Sequence, residues 1–164
     1  MDHLGVDRFL FMGLCIGGPF GLKLMERAPE RVVAGVLCQP VGSNAATPDA
    51  MHDGGVAWAA QLLPGRPDIS EVDIHPYLHN LYRRDATDFV YSVSRDFVRA
   101  CQTPILVMPD DTDSHGLEVA NEVAEIAPNA EKTVYPWKED PATLAETIEK
   151  VRQWMTTHAS SPKL

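Results

Sequence analysis

The sequence has few cysteines, a deficit of basic residues and no long apolar run. Its three cysteines, Cys15, Cys38 and Cys101, show no Cys-x-x-Cys spacing, so neither a disulfide framework nor a zinc knuckle is indicated. The 14 Lys and Arg residues are outnumbered by 23 Asp and Glu residues. The resulting net charge of −9 argues against nucleic acid and anionic membranes as partners. No segment approaches the roughly 18 consecutive apolar residues of a membrane span.

The start of the sequence lacks the pattern of a secretory signal peptide, because residues 1–8 are polar and glycines interrupt the apolar stretch that follows. We therefore expect a cytoplasmic protein with reduced thiols. His75 and His79 have the spacing of two metal ligands on a helix, but no third ligand follows and Pro76 lies between them. We expect no metal site and no cofactor.

The most informative stretch covers residues 8–20, RFLFMGLCIGGPF, in which a short apolar run meets Gly-x-Cys-x-Gly before a segment of helical spacing. In such a strand–elbow–helix unit Cys15 is forced toward positive φ, and a β-carbon at Gly13 or Gly17 would crowd the backbone. The amide N–H of Ile16 would face the same space as the thiol. The stretch predicts a nucleophile beside half of an oxyanion hole. The alternative is that Cys15 is a small buried apolar side chain.

The stretch from Asp2 through this elbow to Pro29-Glu30-Arg31-Val32 and the strand at 33–37 resembles the middle of an α/β-hydrolase. Residues 103–109, TPILVMP, with Asp110 to Asp113, resemble the strand and acid turn of the same superfamily. Cysteine at the elbow is similar to the dienelactone hydrolases. The resemblance implies an α/β fold with a parallel sheet of about four strands flanked by helices. It also implies that the chain is a truncated α/β-hydrolase fold with a cap insertion.

One structural domain is expected, because 45% hydrophobic content gives a chain of 164 residues enough apolar surface for its own core. Residues 1–42 supply the elbow strand, its helix and the following strand. Residues 43–99 are rich in turn residues and are expected to form the cap, with helical pieces at 56–63 and 76–84. Residues 100–164 form the C-terminal part of the core.

Two helices are expected to pack through apolar stripes. In the helix after the elbow the stripe contains Phe20, Leu24 and Ala28. In the last helix, which begins with Asp140 as its N-cap, the stripe is predicted to contain Leu144, Ile148, Val151 and Met155.

The resemblance implies that an acid follows the strand at 104–108. Asp113 is favoured, with Asp111 as runner-up, and its role would be to orient a base and stabilise the protonated form of that base. Asp113 or Ser114 could instead cap a helix predicted at 115–127.

The histidine of the family should lie in the loop at 136–140, which reads Pro-Trp-Lys-Glu-Asp and contains no histidine. A cysteine nucleophile tolerates this loss better than a serine, because a nearby cation lowers the pKa of a thiol. Lys138 could be that cation. His115 is the other candidate base.

Two functions follow. In the first, the protein is a thiol hydrolase for a small ester, lactone or related carbonyl substrate. Cys15 attacks the carbonyl, the Ile16 N–H holds the oxyanion, and Asp113 with Lys138 or an unassigned base organises protons. In the alternative, the protein is a catalytically silent member of the fold that binds a small apolar or acyl ligand.

The sequence begins on the tail of a helix that stops at Gly5. The resemblance implies that early strands, and the loop that donates the second oxyanion amide, precede this point. We therefore expect the C-terminal part of the fold, as a truncation, a fragment or a natural half-fold. The elbow strand would then be an edge, so we expect a homo-oligomer or association through that exposed edge.

Overall fold

The computed structural model describes residues 1–43, 45–82 and 90–159, and a parallel sheet forms its centre. The strands are β1 (Phe9–Leu14), β2 (Val32–Cys38), β3 (Ile105–Met108) and β4 (Ala130–Lys132). They lie side by side in the order β1-β2-β3-β4, and every neighbouring pair is parallel. The predicted sheet of about four parallel strands is confirmed. Within the described ranges β1 and β4 are the edges.

Helices connect the strands and cover the sheet. They are α1 (Gly17–Arg27), α2 (Ala50–Leu62), α3 (Glu71–Tyr82), α4 (Arg95–Ala100), α5 (Leu117–Ile126) and α6 (Pro141–Ala159). Short 3-10 turns occupy Asp2–Leu4 and Leu63–Gly65. None of the helices in the described part of the chain has the length and apolar character needed to cross a membrane.

The interior strand β2 is buried on both faces, as its continuous apolar sequence predicts for a parallel strand. On one face, α1 and α5 pack against the sheet. The cluster they form with it includes Leu22 and Met25 of α1, Val123 of α5, and Leu37, Ile105 and Val107 of the strands. On the other face α6 packs against a smaller cluster, which includes Ala34, Val36, Leu106, Met108, Val151 and Trp154.

The predicted packing face of α1 is wrong. Phe20 and Leu24 are 47% and 38% exposed, whereas Leu22 and Met25 are fully buried or nearly so. Glycines explain the difference, because α1 approaches the sheet through Gly18 and Gly21, which an apolar pattern does not count. A β-carbon at Gly21 would collide with the ring of Phe11 in β1.

The last helix begins as predicted, and its predicted stripe is confirmed at Val151 but wrong at Ile148. The Oδ1 atom of Asp140 accepts the N–H groups of Ala142 (3.0 Å) and Thr143 (2.9 Å), which satisfies the first turn. The buried residues of α6 are Thr147, Val151 and Trp154. Ile148, predicted to be buried, is 43% exposed.

The divergent middle contains two helices that begin earlier than predicted, at Ala50 and at Glu71. They pack against each other, and α3 continues through Pro76. Positions 83 and 84 of the second predicted piece lie outside the described residues. The division of the chain at 42 and 99 stays a prediction.

Candidate active site

Cys15 lies in a strand-to-helix elbow, as the sequence predicts. Its backbone is left-handed, with φ 56°. Its N–H donates to the carbonyl oxygen of Cys38 at 2.9 Å, which extends the β1–β2 ladder by one bond. The N–H of Gly18, in the first turn of α1, donates to the carbonyl of Cys15 at 3.0 Å. A left-handed residue other than glycine costs on the order of 1–3 kcal/mol, so the surrounding bonds must hold the turn in place.

The two elbow glycines differ in how tightly they are packed. A β-carbon on Gly13 would collide with the backbone carbonyl of Gly17. A β-carbon on Gly17 would meet no heavy atom within 4 Å. The crowding prediction therefore holds for Gly13 and is wrong for Gly17. The tight position in the helix is Gly18, where a β-carbon would lie 3.0 Å from Cβ of Pro40.

The thiol of Cys15 is half-buried, and the N–H of Ile16 is hydrogen-bonded to it. Burial raises the pKa of Cys15 above its ordinary value of 9.0, and the Ile16 bond only partly offsets this. The thiol is consequently protonated at neutral pH. The geometry agrees with the predicted nucleophile and amide pair, whereas the pKa of the thiol differs from that of an activated cysteine.

The charge of Lys138, predicted to act on the elbow thiol, acts instead on Cys38. Burial raises the pKa of Cys38 to about 11, with Lys138 lowering it and Asp110 raising it. The ammonium group of Lys138 lies 2.8 Å from Oδ2 of Asp110. The loop after β4 thus places the ammonium group of Lys138 at the carboxyl end of β3.

Asp110 is the buried carboxylate that sequence reasoning missed. It lies two residues beyond β3 and is only 4% exposed. Burial raises its pKa, but hydrogen bonds from Lys138, from the backbone of Asp111 and from Gln39 outweigh burial, so the pKa lies below its ordinary value of 3.8. The sequence signal that could have identified Asp110 is its position just after the buried strand β3. Its contact with the loop that carries Lys138 is visible only in the structure.

Asp113 and the runner-up Asp111 are both exposed. The backbone carbonyl of Asp113 accepts a hydrogen bond from Oγ1 of Thr47 at 2.7 Å. The N-cap of α5 is Gly116, with no side-chain cap bond, so capping by Asp113 or Ser114 is wrong. The structure brings Asp110, rather than the predicted Asp113, to Lys138.

His115 is half-buried beside the same ion pair. Its Nδ1 lies 3.0 Å from Oγ1 of Thr112. Burial lowers the pKa of His115 below 6.5, with the charge of Asp110 raising it and that of Lys138 lowering it. We call Cys38, Asp110, His115 and Lys138 the β3 cluster.

A cavity of about 390 Å³ opens beside the elbow, between α1 and the helix pair α2 and α3. Its walls are largely apolar and include Ile16, Phe20, Trp58, Leu62, Tyr77 and Tyr82. Arg66 also reaches the wall, but its guanidinium is bonded to both carboxylate oxygens of Asp68, at 2.8 and 2.7 Å. An apolar molecule of modest size fits this lining.

A second cavity, of about 450 Å³, lies at the amino ends of the strands and is lined by residues such as Arg8, Val33 and Pro104. It is at the opposite end of the sheet from the elbow, because Arg8 and Pro104 immediately precede β1 and β3. It therefore takes no part in the site at Cys15.

Comparison with solved structures gives the fold. The chain is similar to an N-acyl homoserine lactone degrading enzyme (20% identity, TM-score 0.55), and the match covers 91% of this chain and 69% of that one. It is also similar to a meta-cleavage product hydrolase from Pseudomonas fluorescens (12%, TM-score 0.62, 98% and 68%). A third similar structure is an esterase from a Rhodococcus species (16%, TM-score 0.56, 94% and 68%). No family model matches the sequence, and no curated protein sequence does.

Proposed function

The chain has the α/β-hydrolase fold, and we propose that it is a thiol hydrolase acting on a small ester, lactone or related carbonyl substrate. The observation that carries the proposal is the left-handed backbone of Cys15, with φ 56°. Strained positions of this kind persist only where the surrounding structure holds them, and they cluster at functional sites. Here the strained turn presents a thiol that accepts a hydrogen bond from the N–H of Ile16, and Ile16 also lines the apolar cavity. The names of an esterase and of a lactone-degrading enzyme among the similar structures support this class of substrate.

In the proposed reaction the thiolate of Cys15 forms a bond to the carbonyl carbon, and the carbonyl electron pair moves to oxygen. The N–H of Ile16 donates to that oxyanion. Collapse of the intermediate breaks the carbon–oxygen bond to the alkoxide, which takes a proton from water. Water then hydrolyses the thioester, releases the acid and returns the thiol.

The thiol proton leaves to solvent in this scheme, since the charges of the β3 cluster are engaged with one another. Asp110 and Lys138 form an ion pair, and His115 is beside them. The pair ties the loop after β4 to the end of β3, which is a structural role. Turnover should then follow the fraction of thiolate, and it should rise with pH toward the raised pKa of Cys15.

The proposal is tested with p-nitrophenyl esters and the Cys15→Ala variant. We expect turnover by the wild type, a thioester adduct on the peptide that contains Cys15, and a loss of at least about a hundredfold in the variant. Cys38 and Cys101 serve as internal controls, because they are only 5% and 6% exposed and should carry no adduct. Equal turnover by wild type and variant would show that Cys15 is not the nucleophile.

The second candidate is a catalytically silent protein that binds a small apolar or acyl ligand. The raised pKa of Cys15 and the apolar lining of the cavity favour it. Under this candidate an apolar acid would bind and protect Cys15 from alkylation, while the ester panel gives no turnover above the Cys15→Ala background. All three cysteines are free, as is typical of proteins in a reducing compartment, so we propose a cytoplasmic location.

A further inference from the structure

We propose that the hydroxyl of Tyr82 is the second hydrogen-bond donor of the oxyanion site that Ile16 begins. This inference rests on the proposed hydrolase function and names a further catalytic residue for it. A tetrahedral oxyanion is held best by two or more donors, whereas the elbow supplies one amide. The additional donor comes from the end of α3, on the other side of the cavity.

The position of Tyr82 is suited to this role. It is the last residue of α3, it is half-buried, and it lines the cavity of about 390 Å³ together with Ile16 and Phe20. Burial raises the pKa of its phenol above 10.0, and a negative charge on Cys15 raises it further. That second effect shows that the phenol and the sulfur lie within electrostatic reach of each other. The same reach would apply to an oxyanion formed on the carbonyl that Cys15 attacks.

A second strained residue holds the ring of Tyr82. Tyr91 has a left-handed backbone, with φ 58°. Its ring meets that of Tyr82 edge to face, with centroids 5.5 Å apart and an interplanar angle of 75°. The next residue, Ser92, is buried and donates its hydroxyl to the carbonyl of Pro19 in α1 at 2.7 Å. The segment that supports Tyr82 is therefore fastened to the helix that follows the elbow.

The phenol is in the required protonation state. Because its pKa is raised, Tyr82 remains protonated at neutral pH and can donate its O–H. Burial raises the pKa of the supporting Tyr91 to about 12, so neither ring carries a negative charge that would repel the oxyanion. In the attack step the Tyr82 O–H donates to the new oxyanion without transferring its proton, and the bond is released when the leaving group departs.

The decisive variant is Tyr82→Phe, which keeps the ring on Tyr91 and removes only the hydroxyl. The matched control is Tyr135→Phe, because Tyr135 is an exposed tyrosine in the loop after β4 and does not line the cavity. With p-nitrophenyl esters we expect Tyr82→Phe to lower kcat by about a hundredfold or more, with KM changed much less, since an oxyanion donor acts in the transition state. Tyr135→Phe should match the wild type.

A second measurement tests the Tyr82 donor without requiring ester turnover. A trifluoromethyl ketone adds to a thiolate and leaves a stable oxyanion, so it should protect Cys15 from iodoacetamide. We expect the protecting concentration to rise at least tenfold in Tyr82→Phe and to stay unchanged in Tyr135→Phe. Protection lost in Tyr82→Phe without ester turnover in the wild type would support the donor and overturn the hydrolase function. Equal kcat and equal protection in wild type and Tyr82→Phe would overturn the donor.

Discussion

The elbow after β1 and the turn after β3 lie at the same carboxyl end of one sheet, yet their surroundings are opposite in character. At the elbow the backbone is strained, the thiol is half-buried and the neighbouring cavity is apolar. At the β3 turn a carboxylate that is 4% exposed is paired with Lys138 and Gln39. The strands β1 and β3 are separated by β2, which places their ends about 10 Å apart. The elbow thiol and the ion pair therefore form two separate sites. Cys38, on the strand between them, is the thiol whose pKa is affected by both Lys138 and Asp110.

The sharpest way to break the elbow without touching the β3 cluster is Gly13→Ala. The added methyl group would collide with the backbone of Gly17, so we expect a loss of about 3 kcal/mol or more in the free energy of unfolding. Gly17→Ala is the matched control, because its β-carbon meets open space in the first turn of α1. The control should be neutral or more stable by up to about 1 kcal/mol. Urea unfolding measures both, and equal losses would contradict the packing asymmetry.

The β3 turn is broken by Lys138→Met, which leaves the buried Asp110 without its cation. We expect a loss of about 2 kcal/mol in urea unfolding, less than for a fully buried pair because the lysine side chain is 45% exposed. The control is Lys150→Met, at an exposed residue of α6 whose ammonium donates to the carbonyl of Lys132 at 3.0 Å; it should change stability by less than about 0.5 kcal/mol.

The same pair has a predictable acid response. The folded pKa of Asp110 is depressed, so its stabilising contribution is complete above 3.8 and is lost as pH falls below that value. Asp110→Asn should be less stable than the wild type near neutral pH and lose less stability on acidification. If both proteins lost the same stability on acidification, Asp110 would not be the source of the acid response.

Alkylation compares the thiol of the elbow, Cys15, with the thiol next to the β3 turn, Cys38. Iodoacetamide should label Cys15 before Cys38, since Cys15 is half-buried whereas Cys38 is 5% exposed and has its pKa raised to about 11. The rate at Cys15 should rise about tenfold per pH unit up to pH 9, because its own pKa is raised above 9.0. A plateau below pH 8 would mean that a cation activates the elbow thiol after all.

The smallest expected effect is on self-association through the sheet. Among the described residues β1 is an edge strand, whereas β3 is interior. Met12 and Leu14 are 53% and 60% exposed, and we propose that a second copy of the chain pairs along this edge. Leu14→Lys should shift the average mass from light scattering toward the monomer, with dimer dissociation about tenfold easier. The control is Val72→Lys on α3, where Val72 is 74% exposed away from the sheet. A wild type that stays monomeric at high concentration would contradict the proposal.

The sequence predicts the elbow well because its requirements are local. The spacing of Gly13 and Cys15 and the following apolar segment determine the turn, and the left-handed Cys15 follows from them. The apolar runs likewise predict β1, β2 and β3, whereas β4 is a short polar strand that no apolar run marks. These features need only the chemistry of neighbouring residues.

The buried aspartate could not be identified from the sequence, because three aspartates occur within four positions and their order does not say which one faces inward. Only the end of β3 and the approach of the Lys138 loop select Asp110. The burial of Trp154 in α6, which the stripe did not include, also depends on a distant contact, since its Nε1 atom donates to Glu131 on β4 at 2.8 Å. Such contacts join residues far apart in sequence, and no local pattern records them.

The three tryptophans lie in regions that fluorescence can tell apart. Trp58 is 65% exposed on the wall of the elbow cavity, so it should emit at long wavelength and be quenched by iodide. Trp137 and Trp154 each donate their indole N–H, to Pro109 and to Glu131, within the folded body. An occupant of the cavity would shield Trp58 while leaving the other two unchanged, and this optical readout requires neither a labelled ligand nor a substrate.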